Sequence, residues 1–545
     1  MKKRLMLKVM LCAVFLVAAA RSYAQDACSS PVETKSGILS GTGETGSATC
    51  VWRGVPYAEP PVGELRWKAP EPVKSWTGVR KAEKFGDRCV QAGGLMGGGS
   101  PPGIGMSEDC LNLNVWRPKA PGKYPVMFWV HGGGYYTGAG NDPGYWGDRL
   151  SESGNVIVVT INYRLSLLGF MAHPDLRKQD AHNSTGSYGT LDQVLALKWV
   201  HDNIASFGGD PDNITIFGQS AGGASICSLV ATPLAKGLFN RAVMQSGLCE
   251  LSLDLDDAYQ TTKDAVARLG CDYNDLACLR KIPAETIIKK AGGSLMKGFV
   301  YMPCHDGYVL TGTPLAMIES GNYNRVSIMA GTVLDEFGKA VKLKPAYRNT
   351  TPGQYEKRLS KSFGMTEAQA KTLVSLYPVK DYENRPVEAM GRMLGADAVM
   401  QCPAYRGLLG MAGAGKAEWF YRFDYHGMKY GKYLGSFHTA ELPFLFNAFD
   451  RSPAKSFYKG KDLTKERELA KIMQSYWTNF ARNGNPNGNG LPEWKPFSPG
   501  SRNIQILDVG EVESEPSQIQ DRCGFWDGYT DNFVKMANKL ISKLF

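Results

Sequence analysis

The 545-residue sequence lacks the features that mark fibrous, disordered or membrane-spanning proteins. Its 62 glycines follow no three-residue period, which excludes a collagen-like chain, and its 43% of hydrophobic residues is too high for a disordered chain. Twelve cysteines are too dilute for a small disulfide scaffold, although they suffice for several separate bridges. Beyond the first 24 residues, no stretch is long and apolar enough to cross a membrane. We therefore expect a globular chain without a stable membrane anchor.

The first 24 residues are typical of a secretory signal peptide. Lys2, Lys3 and Arg4 form a basic start, residues 9–20 are an unbroken apolar run, and Ser22 and Ala24 are the small residues of a cleavage site. An apolar run of 12 residues is too short to span a bilayer, which disfavours an uncleaved anchor. We predict a signal peptide at residues 1–24 and a mature chain, residues 25–545, that is secreted or periplasmic, where disulfides persist.

The charge of the mature chain gives no sign of an anionic partner. The whole sequence carries a formal charge of +10, from 62 Lys and Arg against 52 Asp and Glu. Five of the cations and none of the acids lie in residues 1–24, which leaves about +5 on the mature chain. So small an excess, spread over the whole chain, is no footprint for nucleic acid, and we expect no such partner.

From residue 112 onward, short apolar runs alternate with helical patterns. Residues 113–116 and 126–130 are short apolar runs that end in turn signals. Residues 156–162 are β-branched and apolar on both faces, as in a buried central strand. Residues 191–205 carry apolar side chains at helical spacing, and the Phe-Gly-Gly-Asp-Pro at residues 207–211 ends this pattern. No repeat or low-complexity tract marks a domain boundary. The alternation predicts an α/β fold with a largely parallel sheet, in a single domain over residues 25–545.

Two glycine-containing turns follow predicted strands. The strand at residues 213–217 runs into Gly-Gln-Ser-Ala-Gly at residues 218–222, where small residues permit a sharp turn that raises the Ser220 hydroxyl above the sheet. A structural turn could carry the same five residues, so this pattern alone is weak. The strand at residues 126–130 runs into His131 and three glycines, which let two backbone N–H groups face one point. Together the two turns indicate a serine nucleophile with an oxyanion hole.

A nucleophile of this type needs a base and an acid, in the chain order Ser, Asp or Glu, His. His305, His426 and His438 are the histidines that follow Ser220 in the sequence, and His305 precedes any suitable acid. Asp335 and Glu336 follow a short strand at residues 327–330. Position alone separates neither the two acids nor His426 from His438.

Ordered matches over residues 30–535 resemble the type-B carboxylesterases, a group of α/β-hydrolases that includes the cholinesterases. The markers are Trp52-Arg-Gly-Val-Pro-Tyr-Ala58, Ser107-Glu-Asp-Cys-Leu-Asn-Leu113, the glycines after His131, Asn162-Tyr-Arg164, Leu191-Asp-Gln193, residues 207–211, the turn at Ser220, Gln245-Ser-Gly247, and Cys523 with Phe525-Trp526. The resemblance implies the α/β-hydrolase fold, with a large, mostly parallel sheet and long loop insertions. It also implies hydrolysis of a small-molecule carboxylic ester through an acyl-enzyme, with no metal or other cofactor.

The resemblance assigns roles to residues that the spacing left open. The implied catalytic triad is Ser220 as nucleophile, Glu336 as acid and His438 as base. The implied donors of the oxyanion hole are the backbone amides of Gly133, Gly134 and Ala221.

Two departures and one further match bear on the pocket. Ser246 matches a serine that lies near the triad in the family, whereas Gln219 stands where most relatives have Glu. The missing negative charge implies a more neutral pocket. Residues 90–109 contain no tryptophan, although cholinesterases carry one there to bind a quaternary ammonium group, so we expect no choline-ester specificity.

The cysteines fit the same resemblance. It pairs Cys89 with Cys110, Cys271 with Cys278, and Cys402 with Cys523. Two further pairs, Cys28 with Cys50 and Cys249 with Cys304, are expected on weaker grounds, and Cys227 is then predicted to be a free, buried thiol.

A second class of function is a non-catalytic binding protein, as in the neuroligin-like branch of the same fold. That branch has lost the nucleophile, whereas Ser220, Glu336 and His438 are all present here. The sequence therefore favours a secreted serine carboxylesterase.

Overall fold

The computed structural model describes residues 28–93, 100–294, 298–413, 415–529 and 532–544. The predicted signal peptide at residues 1–24 lies outside the described residues, as does the middle of the glycine-rich loop, residues 94–99. Within the described ranges, no helix combines the length and the apolarity needed to cross a membrane.

The described part of the chain is organised around a sheet of eleven strands, in the order β16-β15-β14-β13-β12-β11-β9-β10-β8-β4-β3. The strands are β1 Val32–Thr34, β2 Gly37–Ser40, β3 Thr42–Gly43, β4 Thr49–Pro56, β5 Val79–Lys81, β6 Arg88–Cys89, β7 Met106–Ser107, β8 Asn112–Pro118, β9 Tyr124–Val130, β10 Ile157–Ile161, β11 Gly209–Gln219, β12 Arg241–Gln245, β13 Ser327–Val333, β14 Glu418–Phe423, β15 Asn503–Asp508 and β16 Glu511–Pro516. The strands from β10 to β15 in this order pair in parallel, while β8, β4, β3 and β16 add antiparallel edges. The large, mostly parallel sheet predicted from the sequence is confirmed.

Helices cover the sheet and fill the long connections between its strands. They are α1 Asp148–Gly154, α2 Ser166–Phe170, α3 Pro174–Gln179, α4 Tyr188–Asn203, α5 Ala221–Ala231, α6 Leu255–Val266, α7 Leu276–Lys281, α8 Ala284–Ala291, α9 Pro314–Glu319, α10 Pro345–Arg348, α11 Tyr355–Phe363, α12 Glu367–Leu376, α13 Pro386–Met390, a π-helix at Gly391–Gln401, α14 Cys402–Met411, α15 Gly431–Leu434, α16 Leu442–Leu445, α17 Lys455–Tyr458, α18 Thr464–Asn483, α19 Ile519–Asp527 and α20 Phe533–Leu544. The insertion between β13 and β14 alone holds five of the α-helices and the π-helix.

The central strands are apolar on both faces because each face meets a separate core. In β9, Val126, Phe128 and Val130 belong to one buried cluster, and Met127 and Trp129 belong to the other. Successive side chains of a strand point to opposite faces, so a strand buried on both sides needs an uninterrupted apolar run. This requirement explains the runs from which the central strands were predicted.

The chain breaks its helical pattern near residue 207, as the sequence predicts. Helix α4 ends at Asn203, a 3-10 turn spans Ile204–Phe207, and Gly208 takes a left-handed conformation with φ of 79°. Glycine adopts this conformation without steric cost, so the chain can turn at Gly208 and begin strand β11 at Gly209.

The structure contains five disulfides within the described residues. They join Cys28 to Cys50, Cys89 to Cys110, Cys227 to Cys249, Cys271 to Cys278, and Cys402 to Cys523. The predicted pairing of Cys249 with Cys304 and the free thiol at Cys227 are therefore wrong. Helix α5 packs beside the loop after β12, which places the Cα atoms of Cys227 and Cys249 5.2 Å apart. Cys304 is the buried free cysteine, and its thiol contacts the carbonyl of Thr185.

Candidate active site

Ser220 occupies a sharp turn between β11 and α5. Its backbone has φ of 60° and ψ of −126°, a conformation that non-glycine residues rarely adopt. The Ser220 N–H donates to the carbonyl of Gln245 on β12 at 2.9 Å, which helps hold the strained turn in place. The strand, turn and helix predicted around Ser220 thus form the geometry of a nucleophile elbow.

The glycines of the elbow are required because its backbone packs directly on β9. A Cβ atom at Gly222 would lie 2.1 Å from the carbonyl oxygen of Val130, and one at Gly218 would lie 2.6 Å from the carbonyl oxygen of Gly222. Neither neighbour is the mobile end of a side chain, so each contact could be relieved only by shifting backbone. Helix α5 therefore depends on glycine to approach the sheet.

We expect Gly222→Ala to lower the free energy of unfolding by about 2 kcal/mol or more, because the added methyl overlaps the Val130 carbonyl. The matched control is Gly524→Ala on α19, where a Cβ atom would meet nothing within 4 Å and where alanine favours the helix by about 0.5–1 kcal/mol. Urea unfolding of both variants measures the difference. Equal stability of the two would show that α5 tolerates a side chain at the elbow.

Glu336 and His438 form a buried hydrogen-bonded pair, although 102 residues separate them in the chain. Glu336 follows β13, and its Oε2 lies 2.5 Å from Nδ1 of His438. The backbone joins the same two segments, since the His438 N–H donates to the carbonyl of Glu336 at 3.1 Å. The carboxylate therefore fixes the imidazole with a proton on Nδ1 and leaves Nε2 as the acceptor.

Two further groups hold the other oxygen of Glu336. The hydroxyl of Ser246 donates to Oε1 at 2.7 Å, and the backbone N–H of Val333 donates to the same atom at 3.0 Å. Glu336 and Ser246 both have φ of 45°. With Ser220, three strained non-glycine residues therefore follow the carboxyl ends of β11, β12 and β13, a clustering that is typical of functional sites.

The other candidate acid and base lie elsewhere. Asp335 pairs with Lys339 at 3.1 Å and accepts from the backbone N–H of Ser436 at 2.8 Å. His426 is exposed in the loop beyond β14, where its Nδ1 lies 3.1 Å from the carbonyl oxygen of Asp424. The structure thus brings Glu336, and not Asp335, to the buried histidine.

The glycine run after β9 lies beside the elbow. A Cβ atom at Gly132 would be 3.0 Å from Cβ of Ser220. Gly133 and Gly134 have φ of 109° and 65°, and a Cβ atom at Gly133 would lie 2.2 Å from the carbonyl oxygen of Thr137. The conformation and the close contact at Gly133 require glycine, and the conformation at Gly134 favours it. Ala221 is the first residue of α5, so its N–H is one of the amides that a helix leaves without an internal partner.

Gln219 contacts His438 directly. Its side-chain nitrogen lies 3.3 Å from Nε2 of His438, and both side chains are buried. Because a glutamine amide can donate a hydrogen bond while remaining neutral, it adds no negative charge beside the imidazole. The residue that precedes Ser220 is thus a polar contact of His438 that carries no charge.

Glu441 is a buried acid near the pair that the sequence reasoning missed. Its side chain is fully buried, and its Oε1 accepts from Nε2 of Gln245 at 3.3 Å. Burial raises the pKa of Glu441 to about 7, and the carboxylate of Glu336 contributes to the rise. The sequence pattern that could have identified Glu441 is a single acidic residue within the apolar stretch after His438.

The pKa of Glu441 makes stability depend on pH. The folded chain holds this proton more tightly than the unfolded chain, whose glutamate has a pKa near 4.5, so the free energy of unfolding should fall as pH rises from about 4.5 to about 7. Glu441→Gln should show a smaller decrease than the parent, since burial also raises the pKa of Asp142 to about 7, whereas the exposed control Glu356→Gln should keep the full decrease. Urea unfolding at pH 5 and pH 8 measures both. The same difference in the parent and in Glu441→Gln would show that Glu441 is ionised in the fold.

Comparison with known proteins identifies the family of this site. A sequence model of the Carboxylesterase family matches residues 29–526. The chain is 35% identical over 499 residues to a para-nitrobenzyl esterase of Bacillus subtilis, covering 89% of this chain and 96% of that protein. It is 32% identical over 471 residues to a fumonisin B1 esterase of Sphingopyxis macrogoltabida, covering 84% and 82% of the two chains.

A solved carboxylesterase of Geobacillus stearothermophilus superimposes with a TM-score of 0.79 at 34% identity, over 91% of this chain and 99% of that one. The relatives and the solved neighbour share the α/β-hydrolase architecture and are esterases. The chain therefore belongs to the carboxylesterase family and is a carboxylic ester hydrolase.

Proposed function

We propose that the chain hydrolyses small-molecule carboxylic esters through an acyl intermediate on Ser220, with His438 as base and Glu336 as the orienting acid. The observation that carries this proposal is the Glu336–His438 pair at 2.5 Å, which lies against the strained turn of Ser220 through the contact of Gln219. A buried acid, an imidazole that it orients and a serine raised above the sheet follow the order that activates a hydroxyl.

In the proposed reaction, Ser220 Oγ attacks the ester carbonyl while Nε2 of His438 takes the hydroxyl proton. The tetrahedral adduct collapses, the bond to the alcohol oxygen breaks, and His438 returns the proton to the leaving alcohol. Water then attacks the acyl-serine by the same proton transfers and releases the acid. Throughout, Glu336 holds Nδ1–H of His438 and stabilises the imidazolium by its charge.

The proposed oxyanion hole consists of the backbone amides of Gly133, Gly134 and Ala221. Positive φ values turn the two glycine peptides, and Ala221 begins an 11-residue helix whose dipole favours negative charge at this end. Loss of one such donor typically costs about 3 kcal/mol of transition-state stabilisation. No metal or cofactor enters any step of the proposal.

Covalent labelling tests the nucleophile. We expect diethyl p-nitrophenyl phosphate to release one fast equivalent of p-nitrophenol and to place the diethylphosphoryl group on the peptide that contains Ser220. The loss of ester turnover should be proportional to the fraction of the protein that is labelled. Mass spectrometry locates the adduct. Full esterase activity after complete labelling of Ser220, or ester turnover with no adduct on Ser220, would contradict the proposal.

We also propose that the chain is exported and that its leader is removed between Ala24 and Gln25. The basic start and apolar run support this proposal, as do the five disulfides, which require an oxidising compartment. N-terminal sequencing of protein recovered outside the cytoplasm of an expressing cell should begin at Gln25. A mature chain that begins at Met1 or Lys2 would overturn it.

The alternative, a non-catalytic binding protein, is not favoured. The relatives that the chain matches along most of its length are named as esterases.

A further inference from the structure

Three polar side chains meet outside the proposed triad. Ser252 and Asp254 lie in the loop between β12 and α6, and His305 lies in the loop between α8 and α9. Two backbone hydrogen bonds join these loops, from the N–H of Leu253 to the carbonyl of Pro303 and from the N–H of His305 to the carbonyl of Leu253, both at 2.9 Å. Backbone hydrogen bonds between the two loops therefore hold these side chains close together.

The three side chains form a hydrogen-bonded relay. Oγ of Ser252 lies 2.7 Å from Nε2 of His305, and Nδ1 of His305 lies 3.2 Å from Oδ1 of Asp254. An ionised carboxylate only accepts hydrogen bonds, so the imidazole proton belongs on Nδ1 and Nε2 accepts from the serine hydroxyl. This is the order of acid, base and nucleophile that activates a serine.

The charge state of His305 suits a base. Burial lowers the pKa of His305 below its usual 6.5, although Asp254 and Asp306 act in the opposite direction. The imidazole is therefore mostly neutral at pH 7 and can take a proton.

Small molecules can reach the relay. Ser252, Asp254 and His305 all line a cavity with a volume of about 1010 Å³, which is large enough for a drug-sized ligand. The side chains of Phe299 and Trp526 also line this cavity, where each exposes only a small part of its ring.

We propose that Ser252 is a second nucleophilic serine, activated by His305 and Asp254, which accepts the acyl group of small activated aryl esters. Ser252 Oγ bonds to the carbonyl carbon while its proton moves to Nε2 of His305. The bond from that carbon to the aryl oxygen then breaks, and the phenol leaves with the proton. The products are acyl-Ser252 and a phenol, and no oxidant or reductant is needed.

The charges around the cavity set the expected rate. Glu250, Asp257 and Asp264 line it, and its cations are already paired, Arg406 with Glu250 at 2.6 Å and Lys535 with Asp257 at 3.5 Å. An acidic lining disfavours the oxyanion of the tetrahedral adduct. We therefore expect acylation at Ser252 to be slower than the acylation proposed for Ser220 by a factor of about 10³ or more. The reaction should be detected as a single equivalent of label.

The test uses the full mature chain carrying Ser220→Ala, so that a failure at Ser252 is distinct from a failure at Ser220. The variant is incubated with excess p-nitrophenyl acetate, the release of p-nitrophenol is followed, and peptide mass spectrometry locates the acetyl group. We expect about one equivalent on the peptide that contains Ser252. Whether the parent protein turns over esters at Ser220 is measured separately and does not affect this result.

Three variants in the Ser220→Ala background separate an activated serine from chance acetylation. Ser252→Ala should lose the label, while His305→Gln and Asp254→Asn should slow labelling about 100-fold and about 10-fold or more. The matched control is His182→Gln, whose ring stacks on Tyr308 at 4.2 Å, and it should not change the labelling rate. Thermal unfolding checks that each variant is folded. If His305→Gln does not fold, Asp254→Asn still tests the relay, because it changes an exposed side chain.

Two results would overturn the proposal. The first is acetylation confined to lysines or to the amino terminus, with none on Ser252. The second is labelling of Ser252 at a rate that neither Asp254→Asn nor His305→Gln changes.

Discussion

Replacing Ser220 with alanine is expected to lower kcat for a p-nitrophenyl ester about 10⁶-fold, because the variant has no hydroxyl to form the acyl intermediate. The loss should fall on kcat rather than on KM, since the pocket walls and the backbone amides beside the turn remain. The helix start at Ala221 should also persist, because the Ser220 side chain makes no capping hydrogen bond that alanine would remove. Steady-state kinetics with the purified mature chain measures the change.

The matched control for this substitution is Ser228→Ala on the same helix. The hydroxyl of Ser228 donates to the carbonyl of Ala224 at 3.2 Å and is two helical turns beyond the proposed nucleophile. Its removal should leave kcat within about threefold of the parent. If Ser220→Ala kept more than about a tenth of the parent rate, Ser220 would not be the nucleophile.

Replacing Glu336 with glutamine is expected to lower kcat about 10⁴-fold while leaving the fold intact. The amide keeps the shape of the side chain but loses its charge, and its NH₂ group can face Nδ1 of His438 and select the wrong tautomer. The imidazole would then carry its proton on Nε2, where it could no longer accept the serine proton. Kinetics and thermal unfolding of the same preparation separate this effect from instability.

The neighbouring acid supplies the matched control. Asp335→Asn changes a carboxylate one residue away that pairs with Lys339 and accepts from the Ser436 N–H. We expect it to lower kcat by less than about tenfold. A larger loss in Asp335→Asn than in Glu336→Gln would reverse the assignment of the acid.

Much of the fold could be predicted because its strands must be buried on both faces. The runs that became β9 and β10 are almost wholly apolar and buried, as a central, mostly parallel sheet requires. The elbow could be predicted for a related reason. Glycines at residues 218 and 222 are needed wherever a helix approaches a strand backbone this closely.

The pairing of cysteines and the role of Glu441 could not be predicted in the same way. Cys227 bonds to Cys249 because α5 packs beside the loop after β12, and a helical pattern does not show which loop will lie next to it. Glu441 is buried because the stretch after His438 folds inward beneath the sheet, whereas the sequence shows only an acid among apolar residues. Both depend on the packing of segments that are distant along the chain.

The sequence by itself determined the class of the protein, since periodicity and short motifs are local and report strands, turns and the candidate nucleophile. Spacing left Asp335, Glu336, His426 and His438 open, and the family resemblance pointed to Glu336 and His438. Only the tertiary structure shows that Glu336 contacts His438, because a hydrogen bond across 102 residues depends on where two loops meet. It alone also brought Ser252, Asp254 and His305 together, through backbone pairing of two loops that no local pattern connects. Chemistry that needs several side chains at one point is set by the packing of the whole chain, because no single segment holds them all.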